Sequence, residues 1–295
     1  MVAAGLAAGH RPQTVFLRED VADELGERLG LTGEGYGAIS APAAGSAAGA
    51  ASRASGPSPG VFVVNDRVAA RISTLETPAE AVAVFPLPER QSVSSLLAPG
   101  SGPKTAALRR AAGEPAPEPP RGAASAADLL LVYVDGVQDP GNLGTLVRAA
   151  VAFGAGALVT SAGCADLYGP KTVRASMGAL FGLRLFPDVP LAEVLDHVPA
   201  CEVYGLTAHD GAPLAGADLR RPAVLVVGAE RAGLSRGVRA LVTDFVTIPL
   251  APAAAGSVDS LNAGVAGAIA LYEFSRRPPG ASDDSPRRAA APQEG

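Results

Sequence analysis

Three short stretches carry more polar groups than a plain turn between a strand and a helix requires. The first is VDGVQDPGNLGTLVRAA, where Asn142 and Arg148 stand around a run of small apolar residues. Asp139 or Asn142 can cap the helix that starts there, and Pro140 with Gly141 makes the turn. Neither role accounts for Arg148. A guanidinium offers a planar fork for a phosphate or carboxylate, and the functional reading has Arg148 and Asn142 facing one pocket. The second stretch is LVVGAERAGLSRGV, with Gly228 and Glu230 directly after an apolar run. Gly228 would let backbone approach a ligand closely, and Ser235 is a candidate cap. The third is FVTIPLAPAAAGSVDSLNAGVAGAIALYE, where Ser260 and Asn262 open a helix lined with alanine and glycine. Ser260 or Asp259 is its candidate N-cap.

Rival chemistries have less support. GAERAG lacks the middle glycine of a dinucleotide fingerprint, and no G-x-x-x-x-G-K-[ST] occurs, which argues against a nicotinamide oxidoreductase and a triphosphatase. His10, His197 and His209 all fall outside the three stretches, and His209 is the best placed of them, just beyond a strand end. Cys164 and Cys201 fit no close metal-ligand spacing and read as small core residues in a reducing cytoplasm, so no metal is expected.

The elements that must hold these stretches are legible from 128 onward. The apolar runs LLLVYV, ALVTS, GLRLF, EVYGLTA, AVLVVGA and FVTIPL alternate with helical segments. Runs of this kind are what a parallel sheet covered on both faces produces, so the fold class is α/β, doubly wound. In such sheets ligands sit beyond the carboxyl ends of the strands, which is where all three stretches fall. Upstream, PQTVFLREDVADELGERLGL reads as strand then helix, VFVVND as strand, RVAARISTL as helix and AVAVFPL as strand. This makes a small α/β domain over 1–88. Residues 40–60 and 89–127 are rich in Pro, Gly, Ser and Ala; the second is read as a flexible linker. The domain with the three stretches spans 128–277, and 278–295 reads as a disordered tail.

The chain has 295 residues and a formal net charge of −5, so bulk charge does not advertise nucleic-acid binding. Residues 128–275 hold 9 Lys and Arg against 14 Asp and Glu, and residues 1–127 hold 11 against 12. Any RNA contact needs a local basic surface or a groove made by two chains. No apolar run is long enough to span a bilayer, and the start lacks a secretory signal.

The order and spacing of the three stretches closely resemble the SpoU (TrmH-like) class of the SPOUT superfamily, the RNA ribose 2′-O-methyltransferases. NLGTLVR matches its Asn-to-Arg motif, GAERAGL its Gly-x-Glu-x-x-Gly-Leu loop, and IPL, Gly256 and SLN its third motif. The resemblance implies S-adenosylmethionine as methyl donor, a trefoil knot in the C-terminal domain and a homodimer. It implies a cofactor site at Gly228, Ile248, Leu250, Gly256 and Leu261, with Arg148 and Asn142 at the RNA ribose. Glu230, Ser260 and Asn262 would order the pocket, and Lys171 and Arg174 would meet RNA phosphate. The substrate implied is ribosomal RNA, with transfer RNA second; the alternative is a non-catalytic RNA-binding or ribosome-assembly protein of the same fold. Three departures stand out: the extra residues APAAA before Gly256, the long 89–127 segment, and the lack of the opening helix and strand of the family's substrate domain. The last implies a truncated domain or a start upstream of Met1.

Overall fold

The computed structural model describes residues 1–31, 60–73, 75, 77–97, 128–198, 200–251 and 259–276. Among them the N-terminal part contains helix α1 (Val2–Ala7), strand β1 (Thr14–Arg18), α2 (Ala22–Arg28), β2 (Gly60–Val64), α3 (Asp66–Ile72) and β3 (Ala81–Val84). The three strands form one sheet in the order β2-β1-β3, with β1 parallel to β2 and antiparallel to β3. Val15, Leu17, Leu25, Leu31 and Val61 make its core.

The larger part runs β4 (Leu130–Asp135), α4 (Pro140–Ala152), β5 (Ala157–Thr160), α5 (Pro170–Ala175), β6 (Arg184–Phe186), α6 (Leu191–His197), β7 (Glu202–Thr207), β8 (Ala212–Pro213), β9 (Ala223–Gly228), α7 (Arg236–Arg239), β10 (Asp244–Thr247) and α8 (Ala263–Ser275). Its seven strands lie in the order β6-β5-β4-β9-β7-β10-β8, and every pairing is parallel. The six strands expected from the apolar runs are all present; β8 is additional. The period of two along β4 divides the core. Leu130, Val132 and Val134 join α4 and α8 on one face, while Leu131 and Tyr133 join Phe186, Val194, Val226 and Val238 on the other. Burying a leucine or valine on either face contributes roughly 1.5–3 kcal/mol, which is why these strands read as unbroken apolar runs.

Small residues set the helix spacing. A Cβ on Gly264 would lie 3.1 Å from the Thr145 side chain, and one on Gly267 would collide with Leu146, so α8 lies close against α4. Gly144 does the same for α5, whose Thr172 carbonyl oxygen would be 2.7 Å from an added Cβ. The two parts of the molecule meet through Phe85 and Phe181, with ring centroids 5.0 Å apart, and through His10 against Phe181.

The segment expected as a free linker begins with order. Residues Val93–Leu97 form a 3-10 turn, and Val93 and Leu96 are buried in the second core. Arg184, on β6, donates to the backbone oxygens of Ser95 and Leu96 and stacks over the ring of Phe186. Val93 and Leu96 supply apolar surface that the surrounding Pro, Gly and Ser composition hides. At the far end of the segment Arg221 donates to the Asp128 carbonyl. Residues 98–127, like 32–59 and the tail from 277, lie outside the described residues, as does the stretch 252–258 between β10 and α8 through which the expected knot would be traced.

Candidate active site

The chain leaves β4 outward to β5 and β6, then returns on the other side of β9 to β7 and β10, so the strand order reverses beside β4 and β9. Clefts in open parallel sheets form at such a reversal, beyond the carboxyl ends of the strands. Here a cleft of about 340 Å³ is lined by the ends of β7, β9 and β10 and the start of α8. Its walls include Leu206, Ile248, Leu250 and Leu261, with Gly228, Glu230 and Ser260 at the rim.

Each wall is fixed by local chemistry. Past β9 the backbone folds back on itself: Ala229 and Gly233 pair as an isolated bridge, and Gly233 has φ +64. A Cβ on Gly228 would lie 2.5 Å from the Gly233 carbonyl carbon, so only glycine fits at the strand end. The same turn is tied to β4, because the Ser235 amide donates to the carboxylate of Asp135 at 2.6 Å. Asp135 is buried, so this bond spares a carboxylate from desolvation without a partner. Ser235 also caps α7, accepting from the Val238 amide.

At the mouth of the cleft α4 begins. Asp139, not Asn142, is its cap: the Asp139 carboxylate accepts from the Asn142 amide at 2.7 Å, and Pro140 occupies the first turn. That leaves the Asn142 side chain available, and its amide donates to Glu230 across the cleft mouth. The cap of α8 differs from both residues expected. It is Asn262, whose side-chain oxygen accepts from the Val265 amide at 3.2 Å, while Ser260 lines the cleft and Asp259 precedes it. Asn262 therefore aims the start of α8 at the site and does not itself line it.

Arg148 is the main departure. It is exposed, does not line the cleft, and makes no hydrogen bond or ion pair with another described residue. Six positions along a helix of 3.6 residues per turn rotate a side chain to a different face, about 120° away, so Asn142 and Arg148 leave α4 in different directions. Arg148 is instead one turn past Thr145, on the outer side of the α4–α8 pair. Lys171 is exposed on α5, and Arg174 lines a separate cavity of about 480 Å³ between α5 and the small domain. Gly256 lies outside the described residues.

Four polar residues are brought to the cleft that no local motif marks: Thr207, His209 and Asp210 from the turn after β7, and Arg239 from α7. The turn after β7 had one sequence signal, the position of His209 just beyond a strand end; Arg239 had none. Among the described residues no group of three or more His, Cys, Asp or Glu is arranged to hold a metal ion. None of the helices described is long and apolar enough to cross a membrane.

Residues 129–272 match the SpoU rRNA Methylase family. A curated 23S rRNA (uridine(2479)-2'-O)-methyltransferase of Streptomyces viridochromogenes is 38% identical over 157 residues, covering 51% of this chain and 53% of the relative. A 23S rRNA (guanosine(2553)-2'-O)-methyltransferase of Bacillus subtilis is 35% identical over 146 residues, covering 49% and 57%. The chain thus spans about half the length of the curated relatives it matches. Among solved structures, the SpoU methyltransferase AviRb from Streptomyces viridochromogenes in complex with AdoMet superposes with a TM-score of 0.64 at 25% identity, covering 93% of this chain and 86% of that one. The part of the chain that holds the parallel sheet and the glycine-walled cleft, residues 129–272, is thus similar to the SpoU rRNA methylase family.

Proposed function

We propose that this chain is an S-adenosylmethionine-dependent RNA methyltransferase that acts on a ribose 2′-hydroxyl of ribosomal RNA. The observation that carries the reading is the contact of Asn142 with Glu230, which joins two of the family's motif stretches at the mouth of a cleft built from the third. The cleft fits the donor. It has apolar walls for a planar base, and the backbone at Gly228 is approachable because a side chain there has no room. When bound, the donor supplies an electrophilic methyl on a sulfonium.

The chain's own residues have three tasks. Leu206, Ile248, Leu250 and Leu261 enclose the base and exclude water. Asn142 and Glu230 fix the rim where the ribose oxygen must arrive in line with the methyl group. Arg148 stabilises the alkoxide that develops there and holds the neighbouring phosphate; a guanidinium keeps its proton at neutral pH, so this is charge stabilisation.

Because Arg148 points away from the cleft of its own chain, we assign it to the cleft of a second copy in a homodimer. Support comes from the surface beside it: Val265, Ile269 and Tyr272 form an exposed apolar stripe along α8, 37–49% accessible, next to the exposed Arg148 on α4. The small N-terminal domain is assigned to RNA capture, with Lys171 and Arg174 near its junction with the larger sheet meeting phosphate.

The test is transfer of tritiated methyl from the donor to 23S rRNA transcripts, followed by mapping of alkali-resistant linkages. A 2′-O-methyl at one site supports the reading. Binding of neither S-adenosylmethionine nor its demethylated product would favour a non-catalytic RNA-binding role, and labelling of transfer RNA alone would move the substrate there.

A further inference from the structure

Among the described residues two carboxylates line the cleft, and only one of them accepts a hydrogen bond. Glu230 accepts from Asn142 on the α4 side. Asp210 stands on the opposite wall, in the turn between β7 and β8, and neither of its carboxylate oxygens takes a hydrogen bond from a described residue. Its backbone, by contrast, is fixed. Thr207 donates through its hydroxyl to the Asp210 carbonyl at 2.6 Å, and Thr247 donates to the Ala208 carbonyl at 3.0 Å. A Cβ on the next residue, Gly211, would lie 2.8 Å from the backbone of Phe245, so the turn is pressed against β10. One cation faces the carboxylate: the Arg239 guanidinium is 3.7 Å from Asp210 and lies 4.5 Å above the Phe245 ring, which holds it flat.

A fixed backbone presenting into a cleft a carboxylate that no described residue hydrogen-bonds is suited to a ligand with paired hydroxyl donors. A carboxylate only accepts, and its two oxygens match the two neighbouring O–H groups of a ribose. Acidic residues near strand ends take ribose hydroxyls in this way in dinucleotide-binding sheets. Resting on the reading above, we propose that Asp210 accepts the 2′- and 3′-hydroxyls of the donor's adenosyl ribose, and that Arg239 is a positioning residue that keeps the carboxylate turned into the cleft. The assignment also orients the donor. Its ribose lies toward the β7–β8 turn, its base against Leu206, Ile248 and Leu250, and its methyl toward the Asn142 rim.

Titration calorimetry with S-adenosylhomocysteine and its 2′-deoxyribose counterpart tests this. The unaltered protein binds the first about tenfold more tightly or better, the ratio expected for a hydrogen bond to a charged acceptor. Asp210→Ala loses that ratio by binding both as weakly as the deoxy compound, and Asp210→Asn keeps part of it. For Asp210→Ala the KM for donor rises in step with the lost affinity. Because the Asp210 carboxylate makes only the exposed ion pair with Arg239 among the described residues, the melting temperature stays level. An Asp210→Ala protein that binds S-adenosylhomocysteine normally, or still disfavours the deoxy compound, overturns the assignment. An unaltered protein that binds neither compound overturns the methyltransferase reading itself, and the assignment with it.

Discussion

Asn142 and Glu230 are 88 residues apart in sequence, yet the amide of the first donates to the carboxylate of the second. The bond ties the first turn of α4 to the loop after β9 and sets the width of the cleft mouth. A hydrogen bond to a charged group contributes about 1.5–3 kcal/mol. Asn142→Ala and Glu230→Ala should therefore each lower kcat/KM by roughly ten- to a hundredfold. In the double variant the losses should be far from additive, because both remove the same contact. Fully additive losses in steady-state kinetics would mean the two residues act separately.

Arg148→Ala should lower turnover by about a hundred- to a thousandfold, the range seen when one group stabilising a developing oxyanion is removed. Affinity for S-adenosylhomocysteine should be unchanged, since the role proposed for Arg148 in the second copy's cleft is at the RNA ribose and phosphate and not at the donor. Arg148→Lys should recover little, because an ammonium lacks the planar fork. Single-turnover methyl transfer beside calorimetry separates the two effects.

Ile269 lies in the middle of the exposed α8 stripe. Ile269→Asp places a charge where the proposed dimer buries apolar surface, and light scattering should show a monomer with its helices intact by circular dichroism. Mixing the impaired Arg148→Ala and Glu230→Ala proteins should raise activity well above that of either alone, since one mixed dimer carries a complete site. Failure of the mixture after verified subunit exchange would place Arg148 elsewhere.

Gly228 and Gly264 should respond differently to alanine. At Gly228 the new methyl meets the backbone of Gly233 at 2.5 Å, and backbone in a closed turn has nowhere to go. Donor affinity should collapse, with a stability loss of about 1–3 kcal/mol. At Gly264 the nearest atom is the Thr145 Cβ at 3.1 Å, which asks for a shift of a few tenths of an ångström. Melting curves and calorimetry on both variants should show the larger loss at Gly228.

Tyr133 gives the fold a dependence on alkaline pH. Burial, with a smaller contribution from the charge of Asp135, pushes its phenol up to about 12 from the ordinary 10. In the unfolded chain the phenol ionises near 10, so the folded state binds the proton more tightly between 10 and 12. Its contribution is whole below pH 10 and is lost as pH rises toward 12. Melting temperatures across that range should fall more steeply for the native protein than for Tyr133→Phe, which has no phenol to ionise but keeps the ring.

The sheet was legible because strands buried on both faces leave no polar alternation to misread, and the runs from LLLVYV to FVTIPL became β4 to β10. β8 was missed because two residues, Ala212 and Pro213, carry no pattern. The three motif stretches were recognisable locally, and Gly228, Glu230, Ile248, Leu250, Ser260 and Leu261 do converge. What eluded local reading was rotation and distance. Asn142 and Arg148 look like neighbours in NLGTLVR until the helix turns one away. Arg239 joins the cleft through a fold-back that no spacing rule describes. The α8 cap was misplaced by two or three residues because Asp259, Ser260 and Asn262 are all good caps, and packing of Gly264 against α4 decides among them.

The grip of Arg184 on Ser95 and Leu96, with that of Arg221 on Asp128, changes the meaning of the long stretch between them. Its described ends, Ser95 and Leu96 on one side and Asp128 on the other, are both held by arginines of the part that carries the parallel sheet. The small domain's reach is then set by the short piece between β3 and the 3-10 turn, whatever the length of 98–127. Doubling the length of a chain segment whose two ends are held costs only about 0.6 kcal/mol, so changes in the length of 98–127 should leave the distance between the small domain and the cleft unaltered.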